Sequence, residues 1–387
     1  MSRIYKNTLM KKTLIFLLFL VSVTISAQKV DLDRFYFDVN YQQLPQEPVP
    51  FEKRTFTSEV KLGGKIQTYA NPTALNENVN IYGWKRSDEN PTVKTELYIE
   101  DFVEKGVTPQ IRVEETKDRE GKVTSRREYH YVLATYSGRA YAKLVGPRTP
   151  APLSAKQIEE EKAKQTAAST NRFLKNAVVK KDTTAANGGF NWNYNDEIEV
   201  KSAEFQDPGS AMKAFYLNKN GIHDNTLRGF VDGTLNKVNT SLNYNYGYKP
   251  VNTNQILWIL DAKNEEGQTQ IEAIQAVKSL FKIMKADEPI VDLKSNMQPL
   301  IEYFDSLKTK YTDDSKPARK MRYSAYYNLA VVYLLLDEPE KTIVEAEKLI
   351  LNDYDKADGK ELINRANNLL EDFKIANTRS RHNPSLK

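Results

Sequence analysis

Three histidines, His130, His223 and His382, are all that 387 residues offer for proton transfer near neutral pH or for imidazole ligation of a metal. They stand far apart in the chain, and without a single cysteine a zinc site would need carboxylates gathered from elsewhere. The best local constellation is His223-Asp224, in a stretch from Asn218 to Asn225 read as a loop. There Asn218-Lys219-Asn220-Gly221 has a faint calcium-loop spacing but lacks the downstream acidic ligand, which leaves a surface turn as the better account. No glycine-rich phosphate cradle, Gly-x-Ser-x-Gly elbow or cysteine nucleophile occurs. Paired acids such as Asp313-Asp314 and Asp337-Glu338 fall at expected helix ends, where capping explains them. Residue types and spacing therefore point away from an enzyme, a cofactor or a metal, although a hydrolase using two carboxylates from separate strands leaves no local signature.

The elements that would position any site begin with a segment expected to be removed. Met1 to Ala27 has the make-up of an export signal: Arg3, Lys6, Lys11 and Lys12 precede the apolar run Leu14 to Val23, and a small residue, Ala27, precedes Gln28. That run is too short to anchor stably in a bilayer. Met10, followed by Lys11-Lys12, is a second candidate start. Loss of the signal removes four basic and no acidic residues from totals of 56 and 51, leaving a net charge of +1. A nearly neutral chain lacks the persistent basic surface that nucleic-acid binding needs. The absence of cysteine excludes disulfides and a lipid-bearing cysteine, so any outer-membrane association would be without a lipid anchor. Richness in Asn, Lys and Tyr, with a mature start at Gln28, resembles exported proteins of the Bacteroidota, which implies the periplasm or the outer membrane.

From Val30 to about Pro147 the pattern is that of strands. Val93, Thr95, Leu97 and Ile99 alternate with Lys94, Glu96 and Glu100, and Ile111 and Val113 alternate likewise. The polar stretch Lys117 to Lys122 separates these from Arg127 to Leu144, whose Tyr129, Tyr131 and Leu133 share a face, so the two runs form a hairpin. Arg34 to Tyr41, Thr55 to Leu62 and Val79 to Lys85 are further strand candidates. Short strands at this spacing predict an antiparallel, sandwich-like β domain. Its aromatics, among them Phe35, Phe37, Tyr82, Trp84, Tyr98, Tyr129 and Tyr131, admit a carbohydrate-stacking platform, though core packing is the commoner role.

Gly146 to Pro152, dense in proline, ends that domain, and Ser154 caps a polar helix reaching Val178. In the middle region, Asp207-Pro208 opens a helix, Thr226 to Leu242 has the apolar spacing of another, Asn243 to Tyr248 is a tyrosine-rich turn, and Gln255 to Leu260 is strand or helix. From Gln270 the chain is helical, with stripes at Ile271, Ile274, Val277, Leu280, Phe281 and Met284 and again from Met297 to Leu307. Ala325 to Ile350 then reads as two helices joined at Asp337-Glu338-Pro339-Glu340, where Asp337 and Glu340 have the spacing of a capping box and a turn this short makes the helices antiparallel. A last helix from about Lys356 covers the end of the stack.

Tyr326, Leu329, Ala330 and Tyr333, with Ala346 and Leu349 in the second helix, stand at the positions of a tetratricopeptide repeat, which this hairpin resembles. Ala330 replaces the usual Gly, Thr342 the usual small Ala, and Asn352-Asp353-Tyr354 stands where a closing Pro belongs. The resemblance covers about thirty residues and implies a groove for a protein or peptide partner. The expected organisation is thus α+β: a signal (1-27), a β domain (28-150), a mixed helical region (151-265), a helical stack like tetratricopeptide repeats (266-378) and a disordered tail (379-387). The expected function is that of a non-catalytic interaction protein of the cell envelope, with Tyr326, Asn328 and Tyr333 as partner-binding candidates. The alternative is a carbohydrate-binding or carbohydrate-active protein using the aromatic β region.

Overall fold

The computed structural model describes residues 31–148, 190–261 and 265–386. The expected signal and the expected polar helix after Ser154 lie outside the described residues. The fold is α+β, and it divides into two units whose boundaries differ from the linear order of the expected domains. One unit takes the chain up to Gln43 together with Pro250 to Pro384, and the other takes Leu44 to Lys249 with the last three residues.

In the unit from Leu44 to Lys249, the alternating runs form one five-stranded sheet. Its strands are β2 (Thr55–Leu62), β3 (Lys85–Arg86), β4 (Val93–Lys117), β5 (Val123–Val145) and β6 (Phe190–Lys201). Their order is β3-β2-β4-β5-β6. β4 and β5 form the expected hairpin, in which Asp118 accepts from the amides of Glu120 and Lys122 and Gly121 takes a left-handed φ of 84°. β2, however, pairs in parallel with both β3 and β4, so the sheet is mixed rather than antiparallel. Among the described residues of this unit, no second sheet covers it. The covering layer is a 39-residue helix, α2 (Pro208–Tyr246), following the short α1 (Pro72–Glu77). Alternation along a strand says that one face is buried and leaves open what buries it.

Asp207 caps α2 as expected, its carboxylate accepting from the Ser210 amide. The supposed loop Asn218 to Asn225 is a continuous part of this helix. Asn and Gly are poor helix formers, but the turns on either side are held down by Phe215 and by Leu227, Phe230 and Val231, all buried. Tyr246, assigned to a turn, is the last helical residue. Opposite α2, Val132, Ala134 and Tyr136 face the core, so Tyr129, Tyr131 and Leu133 occupy the other face of β5. Gly138 lies beneath Phe230, where an added Cβ would come within 2.5 Å of the ring. The expected strand from Val79 is irregular until Lys85, and its backbone is held by α2: Asn239 and Asn243 bond the main chain of Asn78, Asn80 and Tyr82.

The other unit joins strand β1 (Leu32–Gln43) to β7 (Lys249–Leu260) in a two-stranded ribbon. Asp31 contacts Asp261, Asp38 contacts Asn254 and Asn40 contacts Asn252, a descending match that makes the pair antiparallel. Five helices complete the unit: α3 (Glu265–Lys282), α4 (Val291–Lys310), α5 (Lys316–Leu335), α6 (Pro339–Leu351) and α7 (Lys356–Ile375). Phe37 and Leu257 share one core with Ile274, Phe281, Phe304 and Leu329. β1 therefore belongs with the helices, since its apolar face, Phe37 and Val39, is buried there.

Asp337 does not cap α6. It takes a left-handed φ of 58°, which turns its carboxylate away from the amides of α6 and toward the chain end. The carboxylate accepts from the Arg381 amide (2.7 Å), from Arg381 Nε (2.6 Å) and from Ser380 Oγ (3.1 Å). Gln42 on β1 in turn bonds Arg381 and Asn383 through its backbone and side chain. The polar residues from Arg379 onward, read as a disordered tail, thus form a clasp over β1 and the α5–α6 turn. Polarity marks disorder only when it has no buried partner, and Asp337 supplies one.

Candidate functional site

Of the three partner-binding candidates, Asn328 is the one the structure removes from the surface. It is 0% exposed, and its side chain spans Trp258 on β7, accepting from the backbone N–H (2.8 Å) and donating to the carbonyl (2.8 Å). A helix thus holds an extended strand through one bidentate amide. Tyr326 and Tyr333, two turns apart on α5, remain half-buried with the ammonium groups of Lys308 and Lys341 over their rings at 5.5 and 5.1 Å. The structure brings these two together on one stripe and sends Asn328 to the opposite, ribbon-facing side.

One concavity of this unit lies on that ribbon-facing side. It is an open cleft of about 510 Å³ between β7, α5 and α7. Its floor is aromatic: Trp258 and Tyr327 meet at 70° with ring centres 6.1 Å apart, and the Arg34 guanidinium of β1 lies 5.4 Å from the Trp258 centre. Asp358, Glu361 and Arg365, spaced i, i+3 and i+7, put three charges of α7 on one wall. Arg365 donates to Gln255 (2.7 Å), and Asp358 accepts from the Tyr323 hydroxyl behind the floor. Burial pushes the Tyr327 hydroxyl up to about 12, with Asp358 and Glu361 adding to the shift and Arg365 and Arg34 opposing it. All four charges therefore act on one phenol. Burial, reinforced by the bond to Asp358, raises Tyr323 further, so both phenols stay protonated near neutral pH.

Tyr327, the neighbour of the expected Tyr326, points about 100° away from it around the helix and lines the cleft, which the stripe containing Tyr326 does not signal. The triplet Asp358, Glu361 and Arg365 was legible as a charged helical face, but the Trp258 and Arg34 that meet it come from distant strands. The aromatics proposed as a sugar platform do not form one surface. Phe37 and Trp84 are buried, Phe35 and Phe37 lie on β1, and the rest lie in the sheet unit.

Other polar clusters are satisfied internally. The buried Glu266 carboxylate accepts from Lys310 (2.6 Å), Tyr303 (2.8 Å) and Tyr311 (2.9 Å). Its burial alone would raise its pKa, and these donors reverse the shift, so it remains ionised as a staple between α3 and α4. His223 sits within α2, with Nδ1 3.2 Å from Asp224 and its ring edge-on to Phe102 and Tyr136. No metal-binding cluster of acids and histidines occurs among the described residues.

His382, expected in a disordered tail, is 4% exposed. Its Nδ1 donates to the Lys285 carbonyl (2.8 Å), leaving Nε2 buried with no partner among the described residues. Burial holds its pKa below the ordinary value, reinforced by Arg381 and Lys294 and opposed by Asp337 and the Lys285 bond. Because the unfolded chain then binds the proton more readily, the stabilising contribution is complete above pH ~6.5 and is lost as pH falls below it. Urea midpoints of the helical unit, measured at pH ~7.5 and ~5.5, will fall further in the wild type than in His382→Phe. Equal falls would place the imidazole in solvent.

Comparison with known proteins finds no matching family model, no similar curated protein and no similar solved structure. The reading of function therefore rests on the sequence and on this geometry.

Proposed function

We propose that this protein is an exported, non-catalytic interaction protein of the bacterial cell envelope, periplasmic or associated with the outer membrane. It engages a protein or peptide partner through helices that resemble tetratricopeptide repeats. The support comes from the outward side of α6: Val344 and Leu351 lie two turns apart on one stripe and are 47% and 82% exposed, while Ala346 and Leu349 fill the core behind them. Together with half-buried Tyr326 and Tyr333, they give the helical hairpin apolar surface that its own fold does not cover.

The test is affinity purification of the full chain from crosslinked envelopes of its own source, beside a variant carrying Val344→Asp and Leu351→Asp. Both sites face solvent, so the variant keeps its fold. A partner set that the wild type retains and the variant loses supports the proposal, and identical sets overturn it. A shorter chain ending near Lys263 would not serve, because it strips β1 and β7 of the helices that bury them.

A further inference from the structure

The cleft between β7, α5 and α7 has a chemistry that the protein-partner reading does not use. A peptide anchor site is desolvated and largely apolar at its centre. Here the lining carries Arg34 and Arg365 against Asp358 and Glu361, two cations matched by two anions, together with the side chains of Asn254 and Gln255, whose amide nitrogens donate to Asp38 and Thr253. Balanced charge gives no advantage to a ligand with net charge. What remains is a set of planar groups, amide, carboxylate and guanidinium, that offer paired donors or acceptors in a fixed plane. Beneath them lies a floor of two aromatic rings.

Three further observations concern groups left available. Glu361 and Arg34 are exposed and form no ion pair or hydrogen bond with the described residues, so both can turn to a ligand. The Tyr327 hydroxyl likewise makes no hydrogen bond among the described residues, although burial raises its pKa. At the floor the Trp258 indole N–H is buried without an acceptor among the described residues, an unmet donor of the kind that native interiors rarely leave. A volume of about 510 Å³ is within the range of ligand pockets, about 300–1,000 Å³.

Neutral polyhydroxylated ligands match this arrangement term by term. Vicinal hydroxyls donate and accept in pairs, as the planar side chains require, and the C–H face of a pyranose ring is apolar, as an aromatic floor requires. We propose that the cleft binds a short stretch of a neutral glycan, held between the Trp258–Tyr327 floor and the Arg34, Glu361 and Arg365 side chains. This site is independent of the α6 surface, and either can fail without the other.

The full chain, fluorescently labelled, is applied to an array bearing neutral and acidic glycans and, in parallel, to an array of peptides. Two variants accompany it: Arg34→Ala with Glu361→Ala, both at exposed positions, and Tyr327→Phe, which removes one hydroxyl and keeps the packing. The expected result is retention on neutral glycans, weakened about tenfold or more in the double variant and measurably in Tyr327→Phe, with thermal unfolding unchanged. Retention on no glycan overturns the proposal. So does retention on acidic glycans alone, which simple ion pairing with Arg34 would explain, or retention that neither variant alters. Binding to peptides that the variants abolish, with none to glycans, reassigns the cleft to a peptide.

Discussion

Asp337→Ala will destabilise the helical unit by about 3–5 kcal/mol, the usual cost of leaving one member of a buried ion pair without its partner. The Asp337 side chain is 0% exposed and that of Arg381 is 11% exposed, and the pair sits at 2.6 Å. Arg381 also donates to the Leu334 carbonyl (2.6 Å) and covers the Tyr41 ring at 4.2 Å, so its guanidinium cannot leave for water without dismantling the clasp. Asp337→Asn separates charge from conformation, since asparagine tolerates the φ of 58° that alanine does not. Adding Arg381→Met to Asp337→Ala removes the stranded charge and restores much of the loss. Hydrogen exchange in α5 and in the last residues reads the effect locally. A change below about 1 kcal/mol, typical of exposed pairs, would mean that solvent reaches the carboxylate.

Gly138→Val comes next in size, and it acts on the sheet unit. The missing Cβ would lie 2.5 to 2.6 Å from three carbons of the Phe230 ring, and Phe230 is itself buried. Valine adds two further methyl groups where the first already collides, forcing α2 off β5. The expected cost is about 3 kcal/mol, at the upper end of core overpacking. Phe230→Leu shortens the opposing side chain and will recover part of it in the double variant, a coupling that unrelated sites do not show. A neutral Gly138→Val would mean that α2 does not ride so close to the sheet.

Much of the local structure was legible because burial imposes a period. Val93, Leu97 and Ile99 are buried while Lys94, Glu96 and Glu100 are exposed, and the stripe from Ile274 to Phe281 lies in a core as its spacing requires. Legibility failed where the deciding partner is far away. Nothing near Phe37 says that its strand pairs with one beginning at Lys249, and the Asn40 to Asn252 contact spans 212 positions. Asn218 to Asn225 looked like a loop because its own residues favour one, and Phe215 and Leu227 on either side outweigh them. The candidate site divides in the same way. The α7 charges share a visible face, whereas Trp258 and Arg34 reach the cleft through strand pairing that no local pattern encodes.

The pairing of β1 with β7 makes residues 44–249 an insertion in a host whose two parts flank it. That insertion leaves and returns at one end of the ribbon, where Asn40 meets Asn252, so a short turn in its place would close the host as an ordinary β-hairpin followed by helices. In a chain that emerges from its N-terminus, residues 44–249 are all made before β7, so the first strand of the host waits for its partner strand. Closure of the host comes last, when the clasp at Arg381 reaches Asp337 and Gln42. Until α3 emerges with Ile274 and Phe281, Phe37 and Val39 have no core to enter, and the apolar face of β1 stays open while the whole insertion is made.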